Sequence, residues 1–104
     1  MTAVANPARG EAAIRVHGEQ LVLRPTFAAL VAAEGELGPL FALVERAAQG
    51  RLALHEAVAL LWHCRHRPPA ALTREAFGEA VVDGGLAATA PALKAVLRQI
   101  LSGR

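Results

Sequence analysis

The chain contains few of the residues that carry specialised chemistry: one cysteine, no tyrosine and an aromatic fraction of 4%. A single cysteine excludes an internal disulfide and suits a reducing compartment. Sparse aromatics argue against a base-stacking surface for single-stranded nucleic acid. The basic residues are almost all arginine and are scattered from Arg9 to Arg104, so they form no phosphate-binding stripe. Nucleic acid is therefore not an expected partner.

Membrane and secretion signals are also missing from the sequence. No apolar run reaches the roughly 18 residues that a membrane span needs. Residues 1–10 lack the basic stretch and apolar core of a secretory signal. We therefore expect a cytoplasmic protein with no membrane partner. Asn6-Pro7 and Gly10 break regular structure, so residues 1–10 predict a flexible leader and residues 11–104 a single domain.

The residues present predict an α+β fold that is mostly α. Hydrophobic residues make up 54% of the chain and charged residues 19%, which is typical of a folded domain. Alternating strands on either side of His17-Gly18-Glu19 predict an N-terminal β-hairpin, and helical periodicity with caps and breakers then predicts four to five helices. The predicted segments are strands 12–16 and 21–24, then helices 27–37, 39–49, 54–66, about 73–83, and a last helix starting near Thr89 or, with a kink, near Leu86.

Glu34 lies in the middle of the predicted apolar stripe of the first helix. That stripe contains Phe27, Leu30, Val31 and Leu37. A carboxylate at such a position must find hydrogen-bond donors or reach water. It could accept from backbone N–H groups at the start of the second helix or the hairpin, or pair with Arg24. The simpler alternative is a solvated residue at an exposed edge.

The histidines near the third helix are the first candidates for chemistry. His63 and His66 are three residues apart, with Cys64 between them and His55 upstream. Zinc needs three or four converging ligands, and this helix offers only a pair, because Cys64 points away from the line joining His63 and His66. A solvated helix face is the simpler interpretation. We expect neither a metal site nor any other cofactor.

Cys64 is also the only candidate for a cysteine nucleophile. The neighbouring His63 and Arg65 could lower its pKa. Neighbours on a helix point apart, however, and the sequence contains no oxyanion loop, nucleophile elbow, P-loop or dinucleotide fingerprint. A small, partly buried thiol fits better, and we expect no enzymatic activity.

Two helices carry the signals for protein binding. The large apolar residues of the third helix cover roughly 200° of its circumference, which is wider than the stripe of about 100° that faces a protein's own core. Either this helix is central, or its Leu61 and Trp62 edge contacts a partner. The apolar face of the last helix likewise packs against the core or docks onto another chain. The candidate partner-binding residues are Leu61, Trp62, Leu93, Leu97, Ile100 and Leu101.

The order of several short segments resembles a known family. These segments are Asn6-Pro-Ala-Arg-Gly-Glu11, Leu21-Val-Leu-Arg24, Phe27-Ala-Ala-Leu30, Glu34, Leu37-Gly38, Leu72-Thr73 and Gly84-Gly-Leu-Ala87. The likeness as a whole covers nearly the entire chain, from about Ala8 to Leu101. They resemble the tail-assembly-chaperone-like proteins of the gene transfer agent family, which are small proteins of phage-like tail gene clusters.

The resemblance implies a non-enzymatic role in tail morphogenesis. It implies a chaperone that coats the tape-measure protein before the tail tube assembles, or a component of the tube itself, and it leaves room for a homo-oligomer. From the residues alone, a different class also stays open. The third and fourth helices could mimic a helix-turn-helix, although Pro68-Pro69 interrupts their connection and the helix after Thr73 is acidic.

Overall fold

The computed structural model of the protein describes residues 11–103, so the predicted leader lies outside the described part. A small antiparallel sheet packs with five helices, which confirms the predicted α+β class and the N-terminal hairpin. The elements are β1 (Ala12–Val16), β2 (Glu19–Leu23), α1 (Phe27–Leu37), α2 (Leu40–Ala48), α3 (Leu54–His63), β3 (Arg65–His66), α4 (Arg74–Asp83) and α5 (Leu86–Ser102).

The hairpin of β1 and β2 closes with a two-residue turn. Val16 pairs with Glu19, and His17 and Gly18 both have positive φ, of 52° and 79°. Positive φ at both central residues defines the type I′ turn, whose twist matches that of the strands. The turn is one residue shorter than predicted, because Glu19 belongs to β2.

The third strand, β3, corrects the predicted end of the third helix. The sequence predicted helix as far as His66, but α3 ends at His63 and the chain then runs antiparallel to β2. The N–H of Arg24 donates to the carbonyl of Cys64 at 2.6 Å. The cause is long-range, since β2 would otherwise leave its backbone groups unpaired along this edge.

Local signals in the sequence set most helix ends correctly. Thr26 and Thr73 cap α1 and α4, each hydroxyl accepting a backbone N–H at 3.1 Å. After α2, Gly50 has a φ of 70°. Its N–H donates to Ala47, and that of Arg51 donates to Arg46. This is a Schellman ending, as the predicted glycine position implies.

The last helix, α5, follows the second of the two predicted alternatives. It begins at Leu86, directly after Gly85 with its φ of 86°, and Pro91 lies inside it. Proline has no N–H, so the hydrogen bond to the carbonyl of Ala87 is lost at this point.

The core lies between the inner face of the hairpin and helices α3, α4 and α5. Leu23, Leu60, Leu61, Phe77 and Val96 are completely buried. The buried residues of α2 and α4 are Leu43, Val44, Phe77 and Val81. Helix α3 contacts α1, α4 and α5. Its wide apolar surface therefore belongs to a central helix.

The inward face of α1 differs from the prediction. Ala33 is its buried residue, and Ala29, Leu30 and Leu37 pack at the edge of the core. Phe27 and Val31, which were predicted to face inward, are 86% and 52% exposed. Alanines on the inner face let α1 lie close to α3, and this rotates the larger side chains outward.

Candidate functional site

An apolar cleft opens where α1, α2 and the end of α5 meet. It has a volume of about 250 Å³. Phe27 and Phe41 are 86% and 77% exposed, and both line this cleft. Contiguous exposed apolar side chains of this size mark interaction surfaces more often than isolated ones do. The cleft is lined by Phe27, Leu30, Val31, Glu34, Leu40, Phe41 and Ile100.

Glu34 fixes the corner between α1 and α2 that forms the cleft. Its carboxylate accepts the N–H of Leu40 at 3.1 Å, and its carbonyl accepts the N–H of Gly38 at 2.9 Å. Pro39 precedes α2 and offers no side-chain cap, so the carboxylate of Glu34 satisfies the first free N–H of the helix. This confirms the predicted contact with the start of the second helix.

The other predicted partner of Glu34 is engaged elsewhere. Arg24 forms an ion pair with Glu11, with Nε and Oε2 3.6 Å apart. Glu34 is itself exposed while it holds Leu40. The sequence left two alternatives open, a helix cap and a solvated carboxylate. Glu34 combines them, because it caps α2 and is exposed to solvent.

The candidate binding residues of the third helix lie in or against the core. Leu61 is completely buried and cannot contact a partner in the folded chain. Trp62 is half-buried and already has neighbours. Its ring packs edge-on against Phe77 with centroids 5.7 Å apart, and the guanidinium carbon of Arg65 lies 3.2 Å from its centroid. Such cation–π contact covers the exposed face of the indole.

Two arginines, Arg65 and Arg74, lie over the ring of Trp62, and Arg74 also belongs to a charged cluster. Glu36 of α1 accepts from Arg74 at 2.7 Å and lies 2.8 Å from Nε2 of His63. The hydrogen bond from Arg74, followed by that from His63, lowers the pKa of Glu36 from 4.5 to about 2. Burial lowers the pKa of Arg65, with a smaller contribution from the charge on Arg74. These contacts join α1, α3 and α4.

The candidate residues of the last helix divide between core and surface. Leu93 and Leu97 are partly buried and pack against the core. Ile100 lines the cleft. Leu101, next to it in the chain, is 59% exposed. Of the candidate residues on α5, Ile100 is therefore the one that lines the cleft.

Phe27, Val31 and Phe41 are surface residues that were not predicted as such. Helical periodicity placed Phe27 and Val31 in the inner stripe, and no position was predicted for Phe41. The available signal was the pair Ala29 and Ala33, which are four residues apart and so share one face of the helix. A face of small residues suits a close helix contact, and it would have turned Phe27 outward.

The histidines and the cysteine occupy separate environments. His63 contacts Glu36, His66 lies in β3 and His55 is exposed near the start of α3. Cys64 is completely buried, and burial raises its thiol pKa to about 12. Such a thiol stays protonated near neutral pH. Among residues 11–103, no three His, Cys, Asp or Glu side chains are placed to hold a metal ion.

Between Glu11 and Gly103, none of the helices is by itself both long and apolar enough to cross a membrane. The pairs α1 with α2 and α4 with α5 have sufficient length and composition only when combined, and they are bent by 78° and 118°.

Comparison with known proteins gives one match. A protein-family model described as phage tail tube protein, GTA-gp10, matches residues 9–103. No curated protein and no solved structure is detectably similar to the chain. The match covers both the hairpin and all five helices. The chain therefore belongs to the phage tail tube protein, GTA-gp10, family.

Proposed function

We propose that this chain is a non-enzymatic tail-assembly protein that binds the tape-measure protein through the apolar cleft. The single observation that carries the proposal is the exposure of Phe27 and Phe41 beside one another on the cleft. Family membership supports a role among tail proteins, in structure or in assembly. The tape-measure partner follows from the family resemblance of the sequence.

The chemistry of the cleft suits an amphipathic helix. Its walls are aromatic and aliphatic, and its volume is about 250 Å³. Small-molecule sites range from about 300 to 1,000 Å³, so this cleft fits one or two apolar side chains better than a cofactor. Helix-in-groove recognition uses such anchors at successive turns of the bound helix. Many copies of a small protein could in this way cover a long apolar rod.

The test is co-expression with the tape-measure protein of the same gene cluster, followed by affinity capture and a titration. We expect Phe41→Glu to weaken binding by about tenfold or more, because it places a charge at the centre of an apolar contact. Leu86→Glu is the matched control. Leu86 is 56% exposed but lies outside the cleft, so the same change there should leave binding intact.

Two outcomes of the binding titration would contradict the proposal. Equal binding by wild type, Phe41→Glu and Leu86→Glu would remove the cleft from the proposal, and failure of the folded wild type to bind would remove the tape-measure partner. Circular dichroism and urea unfolding of each variant would establish that it is folded.

A structural part in the tail tube is the second candidate, and membership in a family of phage tail tube proteins favours it. In that case the cleft would contact another copy of this chain or a tube subunit. Sedimentation of the purified protein over a range of concentrations tests self-assembly. Oligomers that Phe41→Glu dissolves and Leu86→Glu retains would favour the tube component over the chaperone.

A further inference from the structure

A second concavity lies between the hairpin and the loop that follows β3. It is an open groove of about 1100 Å³. It shares no lining residue with the apolar cleft. Its lining includes Arg15, Gln20, Leu21, His66, Arg67 and Leu72.

The groove runs along an open strand edge. Strand β3 pairs only with Val22 and Leu23 of β2. Because Arg24 donates its N–H to the β3 side, alternation along β2 directs the N–H and C=O of Gln20 to that same side. In the described sheet, whose order is β1-β2-β3, β3 ends before it reaches Gln20.

The chain itself turns away from this edge. Arg67 has a φ of 50°, in the left-handed region that non-glycine residues seldom adopt. Pro68 and Pro69 follow, and a proline has no N–H to donate to a strand. The loop therefore leaves a gap in line with β3, and an added strand could occupy it.

The two sides of the groove differ in polarity. Val16, Leu21 and Leu72 contribute apolar side chains that belong to or adjoin the core. An extended segment directs successive side chains to opposite faces. Alternate residues of a bound strand would therefore contact this apolar side, and those between them would lie on the polar side.

The polar side of the groove is basic. Arg15, His17, His66 and Arg67 line it, against one acid, Glu19. Nη1 of Arg15 donates to the carbonyl of Gly18 at 3.1 Å, which holds its guanidinium beside the turn. Arg67 is exposed at the other wall. This balance favours a ligand with carboxylates.

We propose that the groove binds an extended, acidic segment of another protein, which adds as a strand beside β2 in line with β3. Backbone hydrogen bonds to Gln20 supply the pairing, and alternate apolar side chains contact Leu21 and Leu72. Acidic side chains between them contact Arg15 and Arg67. Strand addition of this kind combines main-chain affinity with side-chain specificity. The proposal is independent of the role of the apolar cleft.

The test uses a blocked peptide of alternating glutamate and valine, titrated into the ¹⁵N-labelled chain and followed by NMR. The expected result is a shift and slower exchange of the Gln20 amide. We expect Arg67→Glu to weaken binding by about fivefold, the size of one exposed ion pair, and added salt to weaken it further. Arg98→Glu, an exposed charge reversal on α5 outside the groove, should change it little.

Two altered peptides separate the parts of the proposal. A peptide N-methylated at every backbone nitrogen lacks strand donors and should lose binding, as should one with lysine in place of glutamate. The proposal is overturned if the acidic peptide does not bind at millimolar concentration, or if its shifts map to the apolar cleft. It is also overturned if Arg67→Glu binds as well as Arg98→Glu, or if single-stranded DNA displaces the peptide.

Discussion

The four aromatic residues of the chain divide into two pairs with opposite surroundings. Phe77 is completely buried and supports the ring of Trp62, whose outer face Arg65 covers. Phe27 and Phe41 are among the most exposed apolar residues of the described chain. Phe27 directly follows the Thr26 cap of α1, whereas Phe77 is the fourth residue after the Thr73 cap of α4. Both lie in the first turn of their helix, and the residues that face the neighbouring helix decide which ring is buried.

The inner pair contributes to folding, and the outer pair lies on the surface to which we assign binding in the proposed function. The inner pair contributes apolar area that is removed from water when the chain folds. The outer pair contributes almost none, so its apolar area is available for a partner. Changes to the inner pair should therefore lower the free energy of unfolding, and changes to the outer pair should weaken partner binding. The variants below test this difference, from the largest expected effect to the smallest.

Phe77→Ala should be the most destabilising of these changes. Removing a completely buried phenylalanine leaves a cavity and costs about 3 to 5 kcal/mol, which is a large part of the stability of a domain of this size. Urea unfolding followed by circular dichroism measures the loss. A cost below about 1 kcal/mol would contradict the buried position of Phe77.

Glu34→Ala should lower stability by about 1 kcal/mol, the usual cost of losing a cap at a helix N-terminus. The variant removes the acceptor for the Leu40 N–H at the corner between α1 and α2. Glu45→Ala, on the exposed side of α2, is the control. If both variants unfold at the same urea concentration, the Glu34 contact does not contribute in solution.

The Glu36 contacts predict a smaller effect that depends on pH. The folded-state pKa is lowered from 4.5 to about 2, so the stabilisation is fully present above pH 4.5 and is lost as the pH falls towards 2. The Glu36 side chain is 37% exposed, and solvent screening weakens its contacts. We therefore expect a contribution of less than about 1 kcal/mol. The Tm difference between wild type and Glu36→Gln should therefore shrink below pH 4.5. A difference that grows on acidification would contradict the assignment.

Phe41→Ala should have the smallest effect on stability, within about 0.5 kcal/mol, because an exposed side chain gains little on folding. The same variant should weaken binding in the co-expression assay described for Phe41→Glu. A loss of several kcal/mol in the free energy of unfolding would show that Phe41 belongs to the core. It would contradict the division into a buried and an exposed aromatic pair.

The parts of the fold that the sequence predicted are those set by neighbouring residues. Thr26, Thr73 and Gly50 define helix ends through bonds within a few residues, and positive φ at Gly18 suits the hairpin turn. The contact between Glu34 and the start of α2 could also be predicted from the sequence, because only six residues separate the two partners.

The parts that the sequence did not predict depend on distant residues. Strand β3 forms because β2, some forty residues earlier, presents an unpaired edge. The outward position of Phe27 depends on how closely α1 approaches α3. Periodicity identifies an apolar face, but it does not tell which of two apolar faces meets the core when alanines form one of them. The cleft was missed for this reason.

The corner between α1 and α2 has a consequence for the thermodynamics of recognition. Gly38 sets the bend, with a φ of 85°, and the Glu34 carboxylate links one helix to the first turn of the next. Phe27 and Phe41, on either side of that corner, are held at a fixed separation before any ligand arrives. Ordering of loops and side chains usually opposes association. For the helix binding that we propose, the backbone contribution to that cost is met during folding, so the bound helix has mainly its own disorder to lose.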